Sequence, residues 1–113
     1  MSQNRNKLIE LIMGNIANTI IHSILEISIK QDREELAAKY RKELVNSFEI
    51  SKKYREKLNP SDRTLPMEEV DIIKIKNKVL SELNLRISKG YNNIQLNLID
   101  QEINKALKQL NMI

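Results

Sequence analysis

The amino-acid sequence predicts an all-α protein: an antiparallel bundle of about four helices in a single domain spanning residues 1–113. The chain has only two glycines and two prolines, so it holds few of the residues that favour the turns a sheet requires. Apolar residues recur at helical spacing in four successive segments. Aromatic residues make up only 4% of the chain, so isoleucine and leucine must fill the one modest core that this length allows.

The most apolar segment is residues 8–29, LIELIMGNIANTIIHSILEISI. At about 100° per residue, most of its circumference is apolar. A narrow polar strip lies opposite, formed by Asn15, Asn18, Thr19, His22 and Glu26. A helix that is apolar over more than half its circumference is normally contacted from several sides. We therefore expect a central core helix here.

A membrane location is the alternative for the same segment, and its polar residues oppose it. A spanning helix needs about 20 mostly apolar residues, and a carboxylate at mid-bilayer costs roughly 2.5–3.5 kcal/mol. Glu10 and Glu26 would both incur that cost. The polar strip also lacks the Lys and Arg that a helix lying on a membrane surface carries. We expect no membrane span and, because no signal-peptide cleavage site is apparent, a cytoplasmic location.

The width of this apolar surface also predicts a homo-oligomer, because one neighbouring helix would not cover it. The residues expected at the oligomer interface form one ridge of the segment: Ile9, Met13, Ile16, Ile20, Ile24 and Ile27.

The second segment, residues 32–58, has its own helical stripe, made of Leu36, Tyr40, Leu44, Phe48 and Leu58. Asp32 and Glu35 have the spacing of a capping box, which favours a new helix that starts near residue 32. However, neither Gly nor Pro occurs between residues 15 and 59. One long bent helix through residues 3–58 is therefore the alternative.

Both prolines fall in NPSDRTLP, residues 59–66, which predicts a loop. Pro66, followed by Glu68 and Glu69, indicates the start of a third helix, which should end at Gly90. Its predicted buried face is Ile72, Ile75, Val79, Leu80, Leu83 and Ile87. Residues 94–111 predict a fourth helix that buries Leu96, Ile99, Ile103, Ala106, Leu107 and Leu110.

The sequence carries no recognisable catalytic motif. It contains no cysteine, glycine-rich phosphate loop, GxSxG or HExxH. His22 and Glu26 lie four residues apart, so the carboxylate is expected to accept a hydrogen bond from the imidazole. These two groups alone are too few for a metal site, and catalysis needs a cleft built from further elements. We expect no enzyme, metal or cofactor, and a structural role for this pair.

The positive charge is concentrated in the second predicted helix. The chain has a formal net charge of +4, and four lysines lie opposite the apolar stripe of that helix: Lys39, Lys42, Lys53 and Lys57. Such lysines provide salt-sensitive, sequence-independent contacts to nucleic acid. The alternative is a solvated face with intrahelical ion pairs such as Glu35–Lys39 and Glu49–Lys53.

These features together predict a non-catalytic binding or scaffolding module that contacts DNA or RNA through its basic second helix. The alternative is a protein–protein adaptor, or a structural subunit of a larger assembly, whose apolar helix faces bind another protein.

Overall fold

The computed structural model describes residues 4–29, 33–58, 68–91 and 93–112. It contains four α-helices: α1 (Asn4–Ile29), α2 (Glu34–Glu56), α3 (Glu69–Ser88) and α4 (Ile99–Gln109), with a 3₁₀ turn at Leu96–Leu98. These ranges contain no strand, and the predicted all-α helical bundle is confirmed. The predicted loop at 59–66 and the predicted capping residue Asp32 lie outside the described residues.

The first two helices form an antiparallel pair. At their connection, the amide of Arg33 donates to the carbonyl of Ile29 at 2.9 Å. Farther along α2, Arg41 approaches Glu26. Residue numbers therefore fall along α1 as they rise along α2. One continuous helix would hold Glu26 and Arg41 more than about 20 Å apart, and their contact therefore shows that the single-helix alternative is wrong.

The central helix of the bundle is α1, which contacts α2, α3 and α4. Its fully buried residues are Ile12, Ile16, Ile20, Ile24 and Leu25. They pack with Ile75, Val79 and Leu83 of α3 and with Ile99, Ile103 and Leu107 of α4. The prediction that this helix is contacted from several sides is confirmed. Its isoleucine-rich surface is used within the fold.

Local hydrogen bonds define the two ends of α3. At its start, the amide of Glu68 donates to Oδ2 of Asp71 at 3.1 Å, which satisfies a donor that has no partner within the helix. At its end, Gly90 has a φ of 102°, and the amide of Tyr91 bonds to the carbonyl of Arg86 at 3.1 Å. This left-handed residue is a common helix terminator. The predicted end of α3 at Gly90 is therefore confirmed.

The buried face of α3 is narrower than predicted. It is centred on Ile75, Val79 and Leu83, whereas Leu80 is half-buried and Ile87 is 40% exposed. The prediction that Ile87 belongs to the core is wrong. The buried residues of α3 all lie on one side of the helix, and the helices in close contact with α3 within the described ranges are α1 and α4.

The last helix lies across α1 and joins α3 to α2. Near its start, Oδ1 of Asp100 lies 2.9 Å from Nζ of Lys76. Beyond its end, Arg55 of α2 donates to the carbonyls of Leu110 and Asn111 at 3.0 and 3.2 Å. Arg55 thus donates to carbonyl groups that accept no hydrogen bond from an amide of the helix.

Candidate nucleic-acid interface

The four predicted lysines lie together on the outer side of α2. Lys39, Lys42, Lys53 and Lys57 are all exposed, and at 100° per residue they fall within a sector of about 60°. We call this set the lysine stripe. It extends about 27 Å along the helix. That distance matches about eight nucleotides of a B-form strand.

The other basic residues of α2 each have a partner within the same chain. Nε of Arg41 lies 3.5 Å from Glu26, and Nζ of Lys52 lies 3.8 Å from Glu49. Arg55 binds the carbonyls beyond the end of α4. By contrast, within the described ranges no carboxylate lies within 4.0 Å of any lysine of the stripe. The stripe lysines therefore differ from Arg41 and Lys52 in having no carboxylate partner within the described ranges.

The predicted intrahelical pairs differ from those observed. Glu49 pairs with Lys52, three residues away, rather than with Lys53. No Glu35–Lys39 pair within 4.0 Å occurs in the part of the chain that the structure describes. Glu35 lies in the same sector of the helix as the stripe, and Glu49 lies at its edge. Both carboxylates reduce the positive field of the stripe, although neither lies within 4.0 Å of a stripe lysine.

His22 and Glu26 of the polar strip face α2, and this placement changes the predicted partner of His22. Nε2 of His22 lies 2.8 Å from Oε2 of Glu43, while Glu26 pairs with Arg41. The predicted His22–Glu26 hydrogen bond is therefore wrong, because each side chain meets a closer partner on α2. The ring of His22 also lies 5.7 Å from the ring of Tyr40, measured between centroids.

A second polar cluster joins α2, α3 and the segment after α3. The hydroxyls of Tyr40 and Tyr91 are 3.1 Å apart, and Arg86 donates to the Tyr40 hydroxyl at 3.3 Å. The guanidinium of Arg86 lies 5.8 Å from the centre of the Tyr91 ring. Sequence reasoning missed this cluster because Tyr40 is 46 and 51 residues from its partners.

The pKa values of the two tyrosines are shifted in opposite directions. Burial, with the hydrogen bond to Tyr91, raises the pKa of Tyr40 to about 12. The hydrogen bond from Tyr40, together with the nearby Arg86, lowers the pKa of Tyr91. Tyr40 therefore keeps its proton at neutral pH. The cluster links α2, α3 and the segment after α3.

Among the described residues, no three His, Asp or Glu side chains converge as a metal site would require.

The residues predicted at an oligomer interface differ in how far the chain's own helices bury them. Ile16, Ile20 and Ile24 are fully buried by the chain's own helices. Ile9 and Met13 are half-buried, and Ile27 is 43% exposed. Ile16, Ile20 and Ile24 are therefore core residues, because the other three helices of the same chain bury the surface that was expected to contact a second copy.

An apolar groove lies between α2 and α4, with a volume of about 330 Å³. Its apolar lining is Ile20, Leu44, Val45, Phe48 and Ala106. At its edge, the hydroxyl of Ser23 donates to Glu102 at 2.7 Å. The groove is a second surface that differs from the lysine stripe in being mainly apolar.

The segment Lys7–Ile29 is also long and apolar enough to cross a membrane by length and composition. The central helix of a soluble bundle has the same properties, and α1 contacts all three other helices. The absence of a membrane span stays a prediction.

Comparisons with protein-family models, curated proteins and solved structures found no match. The functional interpretation therefore depends on the geometry of this chain.

Proposed function

We propose that the protein is a non-catalytic binding module that contacts the phosphate backbone of DNA or RNA through the lysine stripe of α2. One observation carries the proposal: the four stripe lysines are exposed and have no carboxylate within 4.0 Å among the described residues, while the other bases of α2 bind groups within the chain. Exposed ammonium groups in a row neutralise successive phosphates and release counterions.

The expected binding mode follows the backbone of the nucleic acid and reads little sequence. The aromatic residues of α2 are poorly placed to stack on bases, because Tyr40 is buried and Phe48 is half-buried in the apolar groove. Tyr54 is half-buried and lies under Nζ of Lys57, 5.5 Å from its ring centre. Contacts to phosphate position a protein without specifying a base sequence.

The test compares two variants with the same loss of charge. In the first, all four stripe lysines are replaced by Gln. In the matched control, four exposed lysines elsewhere are replaced by Gln: Lys7, Lys78, Lys89 and Lys105. Either variant lowers the formal net charge from +4 to 0. Binding of a fluorescent mixed-sequence oligonucleotide is measured by anisotropy at low salt.

We expect the stripe variant to lose binding and the control to retain it with a few-fold weaker affinity. Equal losses in both variants would show that overall charge, rather than the stripe, attracts the oligonucleotide. If the unmodified protein binds no oligonucleotide at low salt, the proposal is contradicted.

The second candidate function is a protein adaptor, and the apolar groove between α2 and α4 favours it. Val45 on its wall is 50% exposed, beside the half-buried Leu44 and Phe48. An apolar groove between helices suits the apolar face of a partner's helix. This function becomes the leading proposal if the unmodified protein binds no oligonucleotide.

A further inference from the structure

The solvent side of α3 carries a regular, mainly apolar line that the fold leaves largely exposed, although Leu80 of this line also packs against the core. Its six residues alternate at spacings of three and four: Val70, Ile73, Asn77, Leu80, Asn84 and Ile87. We call this line the α3 seam. Val70, Ile73 and Ile87 are 52%, 50% and 40% exposed, the two asparagines are exposed, and Leu80 is half-buried.

The α3 seam is separate from the side of α3 that packs in the core. The core residues Ile75, Val79 and Leu83 are centred about 130° around the helix from the seam. Large apolar residues that are half exposed and lie in one row form a continuous surface rather than isolated side chains. Such surfaces commonly mark an interaction site.

The spacing of the seam indicates what kind of surface covers it. Alternation of three and four residues is the heptad pattern of a coiled coil, in which two helices pack along matching lines. In heptad notation, the a positions are Val70, Asn77 and Asn84, and the d positions are Ile73, Leu80 and Ile87. All d positions are apolar, and two of the three a positions are asparagine.

The asparagines favour pairing of α3 with α3 of a second copy, with the two helices parallel and in register. In that arrangement Asn77 faces Asn77 of the second copy, and Asn84 likewise faces its counterpart, so each amide meets another amide. An antiparallel pair centred on the seam would instead place Asn77 against Leu80. A buried asparagine at an a position is known to specify the register and the two-stranded state of a coiled coil.

The charges beside the seam are complementary in the same arrangement. Glu69 occupies a g position and Lys74 the e position five residues later, which is the spacing of interhelical ion pairs in a parallel coiled coil. Both side chains are exposed. Within the described ranges, neither lies within 4.0 Å of an opposite charge in its own chain. A second copy would provide two Glu69–Lys74 pairs, related by the two-fold axis.

We propose that the protein forms a two-fold dimer in which the α3 seams of two copies pack as a short parallel coiled coil. An isolated helix of this length would be marginal in water. Here α3 is already ordered by its contacts with α1 and α4, so dimer formation does not have to bear the cost of helix formation. The dimer is independent of nucleic-acid binding and stands even if the lysine stripe binds nothing.

The first test is the mass in solution, measured by light scattering at high micromolar chain concentration. The unmodified protein should show twice the 13.2 kDa chain mass. Ile73→Glu places a carboxylate at a d position of the seam on each copy and should give a monomer. The matched control is Leu85→Glu, because Leu85 is 47% exposed on the same helix but lies outside the seam. This control should remain dimeric, and circular dichroism should show equal helicity for both variants.

The second test determines the orientation and uses the absence of native cysteine. A parallel, in-register pair brings the two residues at position 77 within the distance that a disulfide needs. Asn77→Cys should therefore oxidise rapidly to a linked dimer, and Leu85→Cys should not. A monomer mass for the unmodified protein, equal effects of Ile73→Glu and Leu85→Glu, or equal crosslinking at positions 77 and 85 would overturn the proposal.

Discussion

Nε2 of His22 lies 2.8 Å from Oε2 of Glu43 and links the polar strip of α1 to α2. The side chain of His22 is only 18% exposed, so this polar group lies within the packed α1–α2 interface rather than on an open surface. With the nearby Glu26–Arg41 pair, it fixes which residues of the two helices face each other. Two of the five residues of the polar strip, His22 and Glu26, therefore have a structural explanation.

Replacing His22 should reduce stability without removing an activity. His22→Ala breaks the bond to Glu43 and the contact with the Tyr40 ring, and we expect it to lower the free energy of unfolding by about 1–3 kcal/mol. Asn18→Ala is the control, because Asn18 lies on the same strip but is exposed. Urea unfolding measures both. A metal- or substrate-dependent signal abolished by His22→Ala would contradict the structural role.

Stability should fall at alkaline pH because of Tyr40. Its pKa is raised from 10.0 to about 12 by burial and the bond to Tyr91, so between these values the folded state binds the proton more tightly than the unfolded state. The free energy of unfolding must therefore decrease as the pH rises from about 10 to 12. The lowered pKa of Tyr91 has the opposite sign and adds stability as the pH approaches 10 from below.

Urea unfolding across this alkaline range, with phenolate absorbance as a second probe, tests the prediction for Tyr40. Tyr40→Phe should remove the loss of stability between about pH 10 and 12. Tyr54→Phe keeps Tyr40 and its partners, so it serves as the control. An unchanged alkaline loss in Tyr40→Phe would show that other groups cause it.

Arg55 should hold the end of α4 in place. Its guanidinium donates to two carbonyls, those of Leu110 and Asn111, and Gln is too short to reproduce both bonds. We expect Arg55→Gln to speed hydrogen exchange at the amide of Met112, which bonds to the carbonyl of Leu107 nearby. The effect should correspond to about 1–2 kcal/mol. Equal exchange in the variant and the unmodified protein would contradict this role.

The correction to the predicted interface on α1 can be tested with two isoleucines. Ile24 is fully buried, whereas Ile27 is 43% exposed. Ile24→Ala should destabilise the chain by about 2–5 kcal/mol because it leaves a cavity in the core. Ile27→Ala should cost less than about 1 kcal/mol. Similar losses for the two variants would indicate that a second copy covers Ile27.

Periodicity in the sequence predicted much of the fold because it reports which side of a helix is apolar. The central position of α1 was predicted in this way, whereas the end of α3 was predicted from Gly90 as a helix-terminating residue. Periodicity does not identify which helix a polar group faces, and for this reason Glu43 was missed as the partner of His22. It also merged two apolar lines of α3, so Ile87 was assigned to the core although the structure leaves it exposed.

For the candidate site, the sequence identified the lysines but did not show which of them have a carboxylate partner. Lys39 and Lys52 look equivalent in a charge count, yet only Lys52 has a carboxylate within 4.0 Å among the described residues. That distinction depends on side-chain geometry, which spacing alone does not determine. The Tyr40 cluster depends on contacts between distant segments and was equally inaccessible.

The salt dependence of oligonucleotide binding tests the central claim most directly. Each phosphate contact releases about 0.7–0.9 of a counterion, so four contacts give a slope of about −2.8 to −3.6 for the logarithm of the binding constant against the logarithm of salt concentration. Fluorescence anisotropy of the unmodified protein should yield a slope in this range, with little dependence on base sequence, and replacing the lysine stripe with Gln should flatten it. A slope that the stripe substitutions leave unchanged, or no binding even at low salt, would contradict the account.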